Sequence, residues 1–466
     1  MVASEDDVQL LQQDTSIESS PSFWGLWTAR RRRHNVRKMK MKEICFVAIF
    51  IISFRLVQVA QMGKESTTIS IPTTMGGEVG GGGGGGRQHL ILKDNQGREV
   101  SRNSFNISSY LNSELSFLDD TNDRNILNVS REDAISGREP LLAILEDAGF
   151  TNPTVPEIMA LPKWEQVTEL YGNDGPIILG LDTCQEFQRR VPERDRFIGV
   201  AGNFNSGTTA FALSLQHNCY YPNRGSGSKN YSNDALTDVN GMLSQVPWAK
   251  HKQAYLRTIH SIQPDIPIEH VLPIIMIRDP YFWMASMCKQ GYGVRWDHNP
   301  TKHCPNLVPN EFDRKRFRKL RNASSVMVWQ GKNPTVGLSW NSLVHFWNDW
   351  HGSYVTPKVT YPHLLIRFED TLFRRKELLR QVCKCGGAQL SSQFTYLVDE
   401  AKWNHKHAQN NFVSAMVKYG SDTLRYRNMT NDDIAFAERF LDPRLMQAFH
   451  YRSHKTQIQD KNKINK

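Results

Sequence analysis

The residues best suited to chemistry lie in three short stretches. The first is Gly202-x-x-x-x-Gly207-Thr208-Thr209, with Ser206 just before the second glycine. Glycines let a backbone close tightly around a ligand, the three hydroxyls donate, and the first N–H groups of a helix opening there have no intrahelical acceptor and point at an anion. The spacing is that of a phosphate-binding loop, with Thr208 where the usual lysine stands. The second stretch pairs Arg278 with Ser286, an arginine fork and a hydroxyl that suit a terminal phosphate. The third is Lys250-His251, a cation beside a base. Transfer to a hydroxyl needs both, one for charge developing on a leaving phosphate and one for the proton. The bland alternative for that third stretch is a solvated basic turn.

These side chains need elements to hold them. An apolar run from 197 to 201 reads as a buried strand, followed by a turn and a helix opening near Gly207. A second apolar run, 271–277, ends at Arg278, and a helix over 281–289 would bring Ser286 back beside it. Helical patterns at 138–145 and 164–171, an apolar run at 176–181 and a closing helix at 442–449 complete the alternation. Short strands alternating with helices predict an α/β fold, a mostly parallel sheet with flanking helices that binds its ligands at the carboxyl ends of the strands. Phe346, Trp347, Trp350 and Tyr354 recur at helical spacing and are expected in the core.

Together the two anion stretches resemble the sulfotransferase family, and most closely its membrane-anchored sulfotransferase-like members from microalgae. The resemblance covers residues 135–451 and implies a sulfotransferase-like P-loop architecture. It implies that Ser206, Gly207, Thr208 and Thr209 hold the 5′-phosphosulfate of the co-substrate 3′-phosphoadenosine 5′-phosphosulfate, and that Arg278 and Ser286 hold its 3′-phosphate. The segment 364–370 looks like the family's later strand and turn, and Lys418 with Gly420 is similar to its final cofactor-closing loop. One departure stands out. The family usually places a lysine or arginine just before the Ser-Gly-Thr-Thr run, and this chain has Asn205, whose amide donates a hydrogen bond but brings no charge. Asn205, Lys250 and His251 are therefore the candidate catalytic set. No metal is expected, because the donor has no triphosphate to bridge.

The 466 residues allow more than one domain, but the beginning has the composition of an unfolded arm. A polar, then basic, tail (1–42) precedes an apolar stretch at 43–62 interrupted by Arg55. A basic flank ahead of an apolar stretch sets the tail in the cytosol, so the expected topology is an uncleaved, type II signal anchor. A stem follows at 63–134, with a glycine tract from Gly80 to Gly86, then a catalytic domain at 135–451 and a basic end at 452–466. Sequons at Asn106, Asn128, Asn230, Asn322 and Asn428 agree with a lumenal, Golgi placement. Cys45 lies in the apolar stretch; the other six cysteines permit three bridges, with Cys288–Cys304 the first expected. Most of the net charge of +10 sits in the two termini, so it says little about the folded face.

The run 313–321 carries six basic residues and would attract a polyanion, although most such runs are solvated faces. The expected partners are a carbohydrate or glycoconjugate acceptor and the membrane, with no nucleic acid. The competing readings are a catalytically degenerate sulfonucleotide- or glycan-binding protein, marked by Asn205, and a P-loop kinase, against which Thr208 speaks.

Overall fold

Three strands buried along their whole length form the centre of the molecule: β2 (Phe197–Gly202), β7 (Val271–Ile277) and β11 (Leu364–Arg367). The computed structural model describes residues 129–224, 228–230, 236–331, 337–398 and 412–454. The chain divides into two units, Met1–Gly86 and Arg87–Lys466, and every described residue belongs to the second. The expected tail, membrane span, most of the stem and the basic end beyond 454 lie outside the described residues. Among the described residues no helix is long and apolar enough to cross a membrane. A helix at Arg131–Ile135 stands ahead of the boundary expected at residue 135.

The remaining strands are β1 (Ile178–Leu179), β3 (Cys219–Tyr220), β4 (Ser228–Asn230), β5 (Thr237–Val239), β6 (Met242–Leu243), β8 (Val294–Trp296), β9 (Val328–Gln330), β10 (Leu338–Trp340) and β12 (Gln389–Leu390). The main sheet runs β1-β11-β7-β2-β6-β5-β4. β11, β7, β2 and β6 are parallel, whereas β1, β5 and β4 join antiparallel. Register sets the site: Gly202 lies opposite Met276, and Arg367 lies opposite Ile277. The three central strands therefore end level, and the residues that follow them gather at one edge.

Side chains alternate between two apolar layers, as a buried strand's period of two requires. Ile198, Val200, Leu272, Ile274, Met276, Leu364 and Ile366 face the smaller layer, whereas Phe197, Ala201, Val271, Ile275, Ile277 and Leu365 face the larger. On the smaller side lie α1 (Cys184–Arg190), α2 (Thr208–Asn218) and α5 (Arg375–Gly386). On the larger side lie α3 (Pro280–Lys289), α4 (Leu343–Val355), α6 (Phe412–Tyr419) and α7 (Asn431–Phe440). The α4 aromatics Phe346, Trp347, Trp350 and Tyr354 are buried there as expected.

Each disulfide lies within one layer, two in the smaller and one in the larger. Cys288 pairs with Cys304, the pairing expected from sequence. Cys383 and Cys385, both on α5, reach separate partners, Cys219 on β3 and Cys184 at the start of α1.

The loop after Cys304 is held by a buried charge cluster. His303 Nδ1 lies 2.6 Å from Asp313 Oδ2, and Nε2 lies 2.7 Å from Asp433 Oδ2 on α7. Burial opposes the imidazolium, but hydrogen bonds to Asp433 and Asp313 outweigh it, and the pKa rises to about 8. An unfolded histidine titrates near 6.5, so this stabilisation is complete below about pH 6.5 and is lost as pH rises through about 8, amounting to about 2 kcal/mol. Denaturant unfolding across that window should show the loss. It should be missing in His303→Gln, which should also be less stable at pH 6; an unchanged slope in the variant would refute the assignment.

Candidate functional site

Backbone geometry explains why β2 turns where it does. A Cβ on Gly202 would overlap Ser206 Oγ and stand 2.7 Å from Thr208 Cγ2, so only glycine lets the loop fold back onto the strand end. Asn205 and Gly207 both take left-handed conformations, at φ 59° and 85°. A Cβ on Gly207 would overlap the Phe368 ring, which follows β11.

Gly207 is the N-cap of α2, and no side chain caps this helix. The N–H groups of Thr208, Thr209 and Ala210 thus have no intrahelical acceptor, and the first intrahelical bond is Phe211 N to Gly207 O at 3.1 Å. Beside them the buried Asn203 side-chain amide Nδ2 has no hydrogen-bond partner. Ser206 Oγ donates to Asn203 O at 2.7 Å, which leaves its lone pairs for other donors.

The segment after β6 continues along β2: Val246 N donates to Val200 O at 3.1 Å, and Gly202 N donates to Lys250 O at 2.7 Å. That ladder brings Lys250 and His251 to the loop. Lys250 Nζ lies 3.4 Å from Thr209 Oγ1, in the first turn of α2. His251 Nδ1 is 2.7 Å from Gly202 O and so carries the proton, making Nε2 the basic nitrogen. Phe204 packs on the imidazole with ring centroids 4.4 Å apart. Three donors on α4 hold this arrangement: Trp350 Nε1 to His251 O at 3.1 Å, Tyr354 OH to Lys252 O at 2.7 Å, and Trp347 Nε1 to Arg278 O at 3.1 Å.

Arg278 stands beyond β7, where Asp279 caps α3 through Tyr281 N and Phe282 N. Its Nη1 donates to Asn205 O at 2.5 Å and its Nη2 to Ser286 Oγ at 2.9 Å, so the arginine, the serine and the loop meet. The guanidinium packs against two rings that also touch each other, 5.0 Å from Phe368 and 4.7 Å from Tyr419, and its buried Nε has no partner. Burial lowers its pKa to about 10, partly offset by Glu369 and Asp279, and it stays charged at neutral pH. A buried cation with an unused N–H, set beside a helix N-terminus, is suited to a phosphate or sulfate.

Not every expected residue faces this crevice. Asn205 turns its amide away, donating to Gln290 O at 2.7 Å and lying 3.1 Å from Met287 Sδ. It joins the loop to the end of α3 rather than to the anion cradle. Lys418 belongs to the last turn of α6 instead of a loop, with Nζ 5.5 Å from the Tyr419 ring centre. Gly420 packs so closely on Pro162 that a Cβ would overlap its ring. Phe368 and Tyr419, which cover Arg278, lie in segments that the resemblance marks but were not expected as site residues. Phe368 directly follows a parallel strand, the position where such sheets place ligand-facing groups, and that signal could have found it.

Among the described residues no group of three or more His, Cys, Asp or Glu is placed to hold a metal ion. No family model and no curated protein matches the chain.

Gly207→Ala should cost about 2–4 kcal/mol in urea unfolding, from the left-handed backbone together with the Phe368 overlap. Gly175→Ala, at φ 100° with nothing within 4 Å, should lose only the backbone part, about 1–2 kcal/mol. Equal costs at the two positions would refute the packing of Phe368 on the loop.

Proposed function

We propose that the protein is a sulfotransferase that moves a sulfuryl group from 3′-phosphoadenosine 5′-phosphosulfate to a hydroxyl or amine of a carbohydrate. One observation carries the reading. The uncapped start of α2, the Lys250 ammonium and the Arg278–Ser286 pair converge at the level ends of two adjacent parallel strands. Two anion subsites of different make suit a donor with a phosphosulfate at one end and a phosphate at the other.

In this reading the N–H groups of Thr208 to Ala210 and the hydroxyls of Thr208 and Thr209 hold the 5′ side, while Ser206, whose proton goes to Asn203 O, fixes the turn that presents them. Arg278 and Ser286 hold the 3′-phosphate. His251 Nε2 takes the proton of an acceptor hydroxyl as its oxygen bonds to sulfur. The bond from sulfur to the phosphate oxygen breaks, and Lys250 stabilises the charge appearing on that oxygen. Lys250 thereby does the work of the cation missing at Asn205. The three disulfides support an oxidising compartment, and with the basic, apolar N-terminal arm they favour a type II protein of the Golgi lumen.

The full chain should bind 3′-phosphoadenosine 5′-phosphate in preference to ATP and pass labelled sulfate to a polysaccharide panel. Ser286→Ala should weaken nucleotide binding about tenfold, as loss of a hydrogen bond to a charged group does. Lys250→Ala and His251→Gln should keep binding but lose about 10²–10³ of transfer. A folded chain that fails to bind the nucleotide, or prefers ATP, would sink this reading; tight binding without transfer to any acceptor would favour the degenerate binding protein instead.

A further inference from the structure

A cleft of about 450 Å³ opens beside the loop, within the range of about 300–1,000 Å³ typical of small-molecule sites. Its wall shares residues with the neighbourhood of Asn205: Met287 and Gln290, which take the Asn205 amide, both line it. Tyr292 also lines it and stacks on Phe204, with centroids 5.7 Å apart, and Phe204 in turn packs on His251. The cleft therefore lies one ring away from the candidate base.

The chemistry of its lining is specific. Tyr292, at φ 52°, is 40 % exposed, so the backbone holds a large aromatic ring outward. Arg295 and Trp329 are paired across β8 and β9, which puts both on the same sheet face. Arg295 is exposed and forms no ion pair among the described residues. Lys319, from the basic run, stands over Trp329 with Nζ 5.7 Å from the ring centre. That run is thus more than a solvated face at this end, because it sets a second cation against one of the rings that line the cleft. Asp297 adds one carboxylate, an acceptor for hydroxyl groups.

Flat rings for the C–H face of a sugar, two cations and a hydroxyl acceptor together describe one ligand class. We infer that this cleft binds an anionic saccharide, a sulfated or uronic acid sugar, with Arg295 and Lys319 on its charge and Tyr292 and Trp329 against its rings. Its assignment as the acceptor cleft rests on the sulfuryl-transfer reading; the binding itself does not.

Calorimetry on the detergent-solubilised full chain would test it with four probes of equal length: dextran sulfate, oligogalacturonate, neutral dextran and duplex DNA. At least one anionic saccharide should bind, more weakly as salt rises, and better than neutral dextran or DNA. Which of the two binds tells sulfate from carboxylate. The exposed double substitution Arg295→Ser with Lys319→Ser should weaken that binding at least about tenfold. It should leave affinity for 3′-phosphoadenosine 5′-phosphate unchanged, which also reports that the variant is folded. Equal binding of neutral dextran, tighter binding of DNA, or an unaffected double variant would each overturn the cleft assignment. Saccharide binding without nucleotide binding would leave the cleft standing and remove the sulfotransferase reading; nucleotide binding without saccharide binding would do the reverse.

Discussion

Everything at the level ends of the strands depends on one buried carboxylate, Asp279. One of its oxygens caps α3 through two N–H groups, while the other accepts from Arg425 Nε at 2.8 Å. Its own N–H donates to Glu369 Oε1 at 3.1 Å, joining the end of β7 to the end of β11. Asp279 and Arg425 are each 1 % exposed, and for such a pair the loss of one partner strands the other charge in a dry interior, at about 3–5 kcal/mol. Because Arg278 is the adjacent residue, the same bonds fix the direction in which its guanidinium leaves the sheet.

Charge around that carboxylate is graded by its partners. Asp279 keeps a direct arginine, whereas Glu369 is raised to about 7, by burial first and by the Asp279 charge second. Tyr451 OH donates to Glu369 at 3.0 Å, and Arg367 is spent in a bidentate pair with Asp370. With those cations committed to structural acids, Arg278 is the one of the three that keeps an unpartnered buried N–H.

The second organising device is α4. Its aromatic face does what helical spacing demands and fills the larger core, yet its polar atoms are placed with equal care. Two indole N–H groups and one phenol hydroxyl each hold a backbone carbonyl, two on the basic turn and one of Arg278 itself. A buried Trp or Tyr needs a partner for its polar end, and here the partners belong to both halves of the crevice. The core and the site are therefore held by the same side chains.

Strands 197–202 and 271–277, the helices that follow them, and the meeting of Arg278 with Ser286 were legible in the sequence. These follow from local rules: apolar runs bounded by glycine and proline, and a helical return after a turn. The direction of Asn205, the rings over Arg278 and the cleft at Tyr292 and Trp329 were not, because each depends on segments far apart in the chain. Asn205 is read as a loop residue by its neighbours in sequence, but its amide is claimed by the end of a helix 85 residues later. Residue types and spacing by themselves determined where an anion could be held. Which cation stands beside it was decided by β6 pairing parallel to β2, since that register carries Lys250 alongside the strand end and only a folded sheet can set it.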